Sequence, residues 1–179
     1  MRIIAGEYKN LQLVTPGGNR THPMGERIRS AIFNSLGAKL SDATVLDAFA
    51  GTGALGIESI SRGAKRAVLV ENDKRANQAI RENISKLNTS DQSKIELFPA
   101  SVNKFLEENL TVRFDIIFVD PPYDKLPEST LNQLPELLAS DGVLILSIPK
   151  KIEAVSLTGV LLVKSATYAD ARICYYKKS

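Results

Sequence analysis

The residues best suited to hold a small molecule form a glycine-rich stretch near residue 50. It follows an apolar run and reads Asp47-Ala48-Phe49-Ala50-Gly51-Thr52-Gly53. Glycines at a strand-to-helix turn let a ligand approach the backbone closely, and the N–H groups that open the next helix suit an anionic group. The stretch therefore predicts a cofactor site. Gly51, Gly53 and Gly56 match the glycine spacing of dinucleotide sites, but that bare match is weak evidence.

Asp47 favours one kind of cofactor over another. A carboxylate four residues before Gly51 would repel a pyrophosphate resting on the turn, whereas it would attract a cationic ammonium group. The methionine part of S-adenosylmethionine carries such a group, so Asp47 argues for that cofactor and against NAD. The alternative is a solvated aspartate at a strand end, beside glycines that serve only the turn.

Glu71 completes the predicted cofactor site. It ends the second predicted strand and lies 18 residues after Gly53. An acidic residue at about this spacing hydrogen-bonds the ribose diol in nucleotide-binding sheets. The same placement serves NAD and S-adenosylmethionine, so Glu71 predicts a bound ribose and does not by itself select the cofactor.

A rigid pair of prolines marks a second predicted site. The fourth predicted strand ends in Asp120-Pro121-Pro122-Tyr123. Two successive prolines remove two N–H donors and fix two φ angles, which gives a stiff loop with outward carbonyl groups. Acceptors beside the flat face of Tyr123 suit a planar exocyclic amine on a stacked base. The alternative is an ordinary proline-rich turn, a weaker interpretation at the end of a buried strand.

The elements that must position these residues alternate between strands and helices. Predicted strands cover 44–49, 67–71, 94–98, 114–120 and 142–147, and predicted helices cover 25–37, 53–62, 73–87, 102–109 and 129–139. Near-continuous apolar strands alternating with helices predict an α/β fold with a doubly wound, mostly parallel sheet. Strands at 160–165 and 171–177 bring the sheet to seven and form an antiparallel edge hairpin. Residues 2–5 and 11–14 predict an N-terminal β-hairpin.

The positive charge of the chain lies in its first fifth. The 179 residues contain 23 basic and 20 acidic side chains, a net charge of +3. Residues 1–39 carry +4, and residues 40–179 carry −1. A basic segment on a near-neutral domain indicates a polyanionic partner, although charge alone favours a merely solubilising surface. We divide the chain into a basic extension, 1–39, and a catalytic domain, 40–179.

The motifs together resemble a bacterial methyltransferase family. The glycine-rich stretch, Glu71 and the proline pair, in this order, are similar to class I S-adenosylmethionine-dependent amino methyltransferases. The resemblance narrows to the RsmD family of 16S rRNA guanine-N2 methyltransferases on the first seven residues, on Ser61-Arg62-Gly63-Ala64 and on Arg27-Ile28-Arg29-Ser30-Ala31-Ile32-Phe33-Asn34. It extends from residue 1 to about residue 176 and implies a Rossmann-like methyltransferase sheet.

The resemblance implies a role for each matching position. The cofactor would be S-adenosylmethionine, held by Asp47, Ala48, Phe49, Gly51, Gly53, Glu71, Asn72 and Ser101. The target guanine would be held by Asp120, Pro121, Pro122 and Tyr123. The extension would bind 16S rRNA, alone or within an assembling 30S particle, through Arg2, Lys9, Arg20, His22, Arg27 and Arg29.

The chain departs from the family pattern at three places. Ser101 follows the third strand, where the family usually has an aspartate that contacts the adenine amine, and serine is a weaker acceptor. Ser147 ends the fifth strand, where glutamate is common. Before the first helix the chain has His22-Pro23-Met24 in place of the usual R-P-T.

Two other functions fit part of the pattern. A DNA adenine-N6 or protein glutamine methyltransferase uses a similar proline pair, but usually carries a further recognition domain for which 179 residues leave no room. A non-catalytic RNA-binding assembly subunit could keep the fold, but it would have no reason to retain Gly51, Gly53, Glu71 and Asp120 together.

Composition excludes several other classes. The single cysteine, Cys174, rules out an intramolecular disulfide and a cysteine-clustered zinc site. No apolar run reaches the roughly 18 residues of a membrane span, and the N-terminus lacks the apolar stretch of a signal peptide. We therefore expect a cytoplasmic monomer that holds no metal and binds no membrane.

Overall fold

A seven-stranded sheet forms the centre of the protein in the computed structural model, which describes residues 1–17, 24–122 and 128–179. Its strands are β1 Thr44–Asp47, β2 Arg66–Val70, β3 Ile95–Phe98, β4 Phe114–Val119, β5 Leu138–Pro149, β6 Val160–Tyr168 and β7 Ala171–Lys178. They lie in the order β3-β2-β1-β4-β5-β7-β6. The first five run parallel, and β7 is antiparallel to β5 and β6. The predicted fold class and the antiparallel edge hairpin are confirmed.

Helices cover both faces of the sheet. They are α1 Glu26–Leu36, α2 Ala54–Ser61, α3 Lys74–Ser85, α4 Thr89–Gln92, α5 Val102–Glu108 and α6 Glu128–Gln133. Apolar residues of α1, α2 and α3 pack on one face, and those of α5 and α6 pack on the other. Burial of both faces explains why the central strands are apolar along their whole length. No helix in the described part of the chain is long and apolar enough to cross a membrane.

Side-chain alternation places three polar residues on one face at the carboxyl ends of the central strands. Phe118 on β4 pairs with Ile145 on β5 and with Asp47 on β1. Phe118 and Ile145 both pack in the layer beneath α1 and α2. Asp120 and Ser147 come two residues later in each strand direction and therefore point to the same face. The sheet thus brings Asp47, Asp120 and Ser147 to one edge.

The largest difference from the predicted elements lies before β5. The predicted helix 129–139 is interrupted, because α6 ends at Gln133 and a 3-10 turn over Leu134–Leu137 follows. Pro135 lies at the start of that turn and lacks the N–H that would continue the helix. β5 then begins at Leu138, which pairs with Phe114 ahead of an irregularity in the register.

The N-terminal segment is antiparallel, but it is shorter than the predicted β-hairpin. A single bridge joins Arg2 to Gln12. The Ile3 N–H donates to the Leu11 carbonyl at 3.0 Å. Farther along, the Glu7 N–H donates to the carbonyl of Ser61 on α2 at 2.8 Å, so the tip pairs with a helix instead of extending two strands. The segment therefore packs on α2 as a short loop.

Candidate active site

The glycine turn joins β1 to α2 with two residues in the left-handed region of backbone space. Gly51 has a φ of 55° and Gly53 a φ of 75°, values that other residues rarely adopt. The Gly53 N–H donates to the Ala50 carbonyl at 2.7 Å, and Gly53 is the N-cap of α2. A Cβ on Gly53 would also lie 3.0 Å from Cδ2 of Leu69 on β2. The tight turn therefore depends on both glycines.

Asp47 is buried at the end of β1 with one carboxylate oxygen unsatisfied. The residue is 1% exposed, and Oδ2 accepts a hydrogen bond of 3.2 Å from the Gly56 N–H. Oδ1 has no hydrogen-bond partner among the described residues. Burial raises the pKa of Asp47 to about 7, and the carboxylates of Asp120 and Glu71 add to the rise. A buried oxygen without a donor fits a cationic ligand group such as the ammonium of S-adenosylmethionine.

Glu71 is held against the glycine turn by its own carboxylate. Oε2 accepts a hydrogen bond from the Gly51 N–H at 2.8 Å, and Oε1 accepts one from the Asp73 N–H at 2.8 Å. Each carboxylate oxygen has a further lone pair to offer. The half-buried side chain is thus fixed in orientation and still has acceptors for a ribose diol.

Asn77 on α3 fixes the same segment and was not among the predicted site residues. Its side-chain Nδ2 donates to the carbonyl oxygens of Glu71 at 3.0 Å and of Asp73 at 2.9 Å. The side chain is buried, and its Oδ1 has no partner in the described part of the chain. The available signal was an asparagine four residues after Asp73, the N-cap of α3, inside a predicted helix.

The remaining predicted cofactor residues follow β1, β2 and β3 at the same edge. Ala48 is buried, Phe49 is half-buried, and Asn72 is exposed. Ser101 is exposed and is the N-cap of α5, where its Oγ accepts a hydrogen bond of 3.3 Å from the Lys104 N–H. Its oxygen has a second lone pair to accept a hydrogen bond from the adenine amine. A contact between Ser101 and adenine stays a prediction.

The proline pair directly follows β4. Asp120 is half-buried, Pro121 is buried and Pro122 is exposed. Burial raises the pKa of Asp120 to about 6, whereas a hydrogen bond with the Ser147 side chain opposes that rise. Tyr123 lies outside the described residues, so the predicted stacking surface stays a prediction.

Three carboxylates meet where β1, β2 and β4 end. The negative charges of Asp120 and Glu71 both act on Asp47. A site with this charge would attract a cationic ligand and repel a pyrophosphate. Within residues 1–17, 24–122 and 128–179, no three His, Cys, Asp or Glu side chains are grouped so that they could hold a metal ion.

The structure contradicts one predicted RNA contact. Arg29 is 1% exposed, and its guanidinium pairs with Glu58 at 3.3 Å and donates to the Arg2 carbonyl at 2.8 Å. Glu58 is also buried and pairs with Arg62 at 2.6 Å. Arg29 therefore joins α1, α2 and the N-terminal segment from the inside and cannot reach RNA. Its partner lies 29 residues away, so local spacing could not reveal the pair.

The other predicted RNA-binding residues are exposed or lie outside the described residues. Lys9 and Arg27 are exposed. Arg2 is exposed and forms a surface ion pair with Glu26 at 3.3 Å. Arg20 and His22 belong to the part of the chain that the structure does not describe. Lys9, Arg27 and Arg2 thus remain the described candidates for phosphate contacts.

The strand order, the glycine turn after β1 and the proline pair after the neighbouring β4 define a class I methyltransferase. Residues 1–177 match the family model described as Conserved hypothetical protein 95, and the chain belongs to this family, the RsmD family. The resemblance found in the sequence is therefore confirmed.

Similar proteins include full-length and partial matches. The chain is 36% identical over 135 residues to Ribosomal RNA small subunit methyltransferase D of Escherichia coli (strain K12), covering 75% of this chain and 66% of that protein. The solved structure of yhhF from Escherichia coli has a TM-score of 0.84 and 29% identity, covering 100% of this chain and 98% of that one. The tRNA (guanine(10)-N2)-dimethyltransferase of Methanocaldococcus jannaschii is 33% identical over 142 residues, covering 74% of this chain and 40% of that enzyme.

Proposed function

We propose that this protein transfers a methyl group from S-adenosylmethionine to the exocyclic N2 amine of a guanine in 16S ribosomal RNA. One observation carries the proposal. Asp47, the proposed cofactor ligand at the end of β1, lies near Asp120 and Pro121, which follow β4. The strands β1 and β4 are neighbours in the sheet. A methyl donor and a planar amine would therefore meet at one edge of the sheet.

The cofactor part of the proposal rests on the donor set around the glycine turn. When bound, S-adenosylmethionine supplies an electrophilic methyl group on a sulfonium centre. The unpaired Oδ1 of Asp47 would bind the ammonium group, and the carboxylate of Glu71 would bind the ribose hydroxyls. Ser101 would contact the adenine edge.

The substrate part rests on the acceptors after β4. The amine of guanine is conjugated with its ring, so its lone pair is a poor nucleophile. Asp120 and the Pro121 carbonyl would accept hydrogen bonds from its two N–H groups and favour a pyramidal nitrogen. Asp120 would then stabilise the positive charge that develops on that nitrogen. The alkylated nitrogen is strongly acidic and would lose its proton to water. The reaction therefore needs no strong general base, and positioning supplies much of the rate.

The RNA part rests on the basic extension, residues 1–39. Lys9 and Arg27 are exposed cations that would contact phosphates. Tyr123 would stack on the target guanine once that base has left its stack in the RNA. The names of the relatives support this choice, because one acts on small-subunit rRNA and another on a guanine N2 amine. Ribosomal RNA, or a 30S particle in assembly, is a cytoplasmic substrate.

A variant pair tests the proposal. Asp120→Ala should lower the rate of methyl transfer from labelled S-adenosylmethionine to small-subunit rRNA by roughly 100-fold to 1,000-fold. The cofactor Kd should stay within about threefold, because Asp47 and Glu71 are untouched. Asp141→Ala is the matched control, since it removes an exposed carboxylate that lies near Asp115, at the opposite edge of the sheet. A rate for Asp120→Ala close to that of the wild type would refute the assigned role.

A further inference from the structure

We propose that Ser147 is a positioning residue for Asp120: its buried side-chain hydroxyl orients the Asp120 carboxylate and keeps it ionised during the reaction. The proposal rests on the function proposed above, because it concerns the carboxylate that would receive the target amine. It assigns a purpose to a buried polar group that neither the cofactor nor the RNA contacts explain.

Ser147 is out of place in its strand. Residues 143–148 of β5 are all buried, and Ser147 is the polar side chain among them at 2% exposed. A hydroxyl buried without a hydrogen bond costs several kcal/mol. On its other side, β5 pairs with β7, where Ser147 faces Ile173, a buried apolar residue. The hydroxyl therefore needs a partner on the β4 side.

The register of β4 and β5 supplies that partner. Val119 and Leu146 are paired across the two parallel strands, so Asp120 and Ser147 are the next residues in each strand. Both point to the face covered by α1 and α2. Phe118 and Ile145 pack on that face, and Asp120 and Ser147 each come two residues later in the same strand direction. The backbone alone therefore places the hydroxyl beside the carboxylate, and the two side chains are hydrogen-bonded.

The surrounding charges make a neutral donor valuable. The charge of Asp120 acts on the buried carboxyl of Asp47 on β1, so the charged neighbour that the structure shows for Asp120 is itself an acid. No cation among the described residues contributes to the pKa of Asp120, which burial raises while the Ser147 hydrogen bond lowers it. Donation by the hydroxyl thus favours the ionised carboxylate without drawing it into an ion pair that would compete with the substrate amine.

The titration of Asp120 tests the pairing without any activity measurement. Carbon NMR of protein labelled at the aspartate carboxyl groups follows each midpoint, and loss of one resonance in Asp120→Asn assigns it. In Ser147→Ala the midpoint of Asp120 should rise by about one pH unit. In Ser147→Cys, which replaces the hydroxyl with a slightly larger group that donates only weakly, the rise should be smaller. Ser59→Ala is the control, because it removes a buried hydroxyl that donates to the Leu55 carbonyl within α2.

The activity of the same variants tests the purpose. A midpoint that moves from about 6 to about 7 predicts that kcat falls about twofold at pH 7 and about fivefold at pH 6, with the acid limb moved to higher pH. KM for RNA and the cofactor Kd should stay within about twofold, which loss of structure would not allow. Ser59→Ala should keep the wild-type pH profile.

The experiments distinguish failure of the Ser147 proposal from failure of the proposed function. An unchanged Asp120 midpoint in Ser147→Ala overturns the proposal, and so does a shifted midpoint that leaves the pH profile of kcat in place. If the wild-type protein methylates no RNA, the proposed function fails, while the NMR titration still decides whether Ser147 controls the Asp120 carboxylate.

Discussion

Glu71 at the end of β2 accepts a hydrogen bond of 2.8 Å from the Gly51 N–H in the turn after β1. This hydrogen bond joins the two parts of the proposed cofactor site, the turn after β1 and the end of the neighbouring strand β2. Asn77 holds the Glu71 carbonyl from α3 at 3.0 Å. The acceptors that we propose for the cofactor are therefore fixed in the protein without it, which would lower the ordering cost of binding.

Removing the Glu71 carboxylate should weaken cofactor binding. Glu71→Ala loses a charged acceptor for ribose worth about 1.5–3 kcal/mol, so the Kd should rise roughly 10-fold to 100-fold. Calorimetry with S-adenosylmethionine and S-adenosylhomocysteine measures the change. Glu96→Ala on β3, which removes an exposed carboxylate paired with Arg66, should leave the Kd unchanged. Equal Kd values for Glu71→Ala and the wild type would exclude the assigned ribose contact.

Asp47→Asn should make the free protein more stable and weaken its binding of S-adenosylmethionine. The folded pKa of Asp47, about 7, lies above its ordinary value of 3.8, so the ionised carboxylate opposes folding at neutral and higher pH. The isosteric amide removes that cost and should raise the thermal midpoint of the free protein at pH 8. It also removes the partner of the cofactor ammonium group, so the Kd should rise by about tenfold or more. Thermal unfolding and calorimetry on one preparation give both numbers.

The same carboxylate sets a pH dependence for binding. In the proposed site the ionised form of Asp47 holds the ammonium group, and this form is lost as the pH falls through about 7. The wild-type affinity for S-adenosylmethionine should therefore fall by about tenfold between pH 8 and pH 6. In Asp47→Asn this dependence should flatten. A wild-type affinity that is constant across this range would show that Asp47 does not hold the cation.

Arg27 and Arg29 should behave in opposite ways although only one residue separates them. Arg29→Met removes one of the two cations that pair with buried Glu58, and Arg62 remains, so the free energy of unfolding should fall by about 1–3 kcal/mol. Arg27→Ala removes an exposed cation, so the free energy of unfolding should change by no more than about 0.5 kcal/mol. The slope of the logarithm of the RNA affinity against the logarithm of the salt concentration should fall by about one, the value for one lost phosphate contact. An unchanged salt slope for Arg27→Ala would remove α1 from the RNA interface.

Local sequence signals predicted the parts of the molecule that depend on neighbouring residues. Pro121 and Pro122 end β4, and the glycines at 51 and 53 adopt the left-handed conformation that their type permits. Because strands of a parallel sheet end at one edge, these local signals also located the candidate site.

Residues whose role depends on distant partners were missed or misassigned. Arg29 looked like a surface cation because its partner Glu58 lies on another helix. The position of Ser147 beside Asp120 depends on the pairing of β4 with β5. The contact of Asn77 with the Glu71 carbonyl depends on the path of the backbone after β2. Spacing along the chain carries no information about such contacts.

The identity of the methylated nucleoside tests the central claim most directly. Ribosomal RNA and 30S particles from a strain that lacks the enzyme are incubated with the protein and labelled S-adenosylmethionine, then digested to nucleosides for mass spectrometry. We predict labelled N2-methylguanosine with wild-type protein and roughly 100-fold less or lower with Asp120→Ala. Label in N6-methyladenosine or in protein, or no transfer to either RNA substrate, would contradict it.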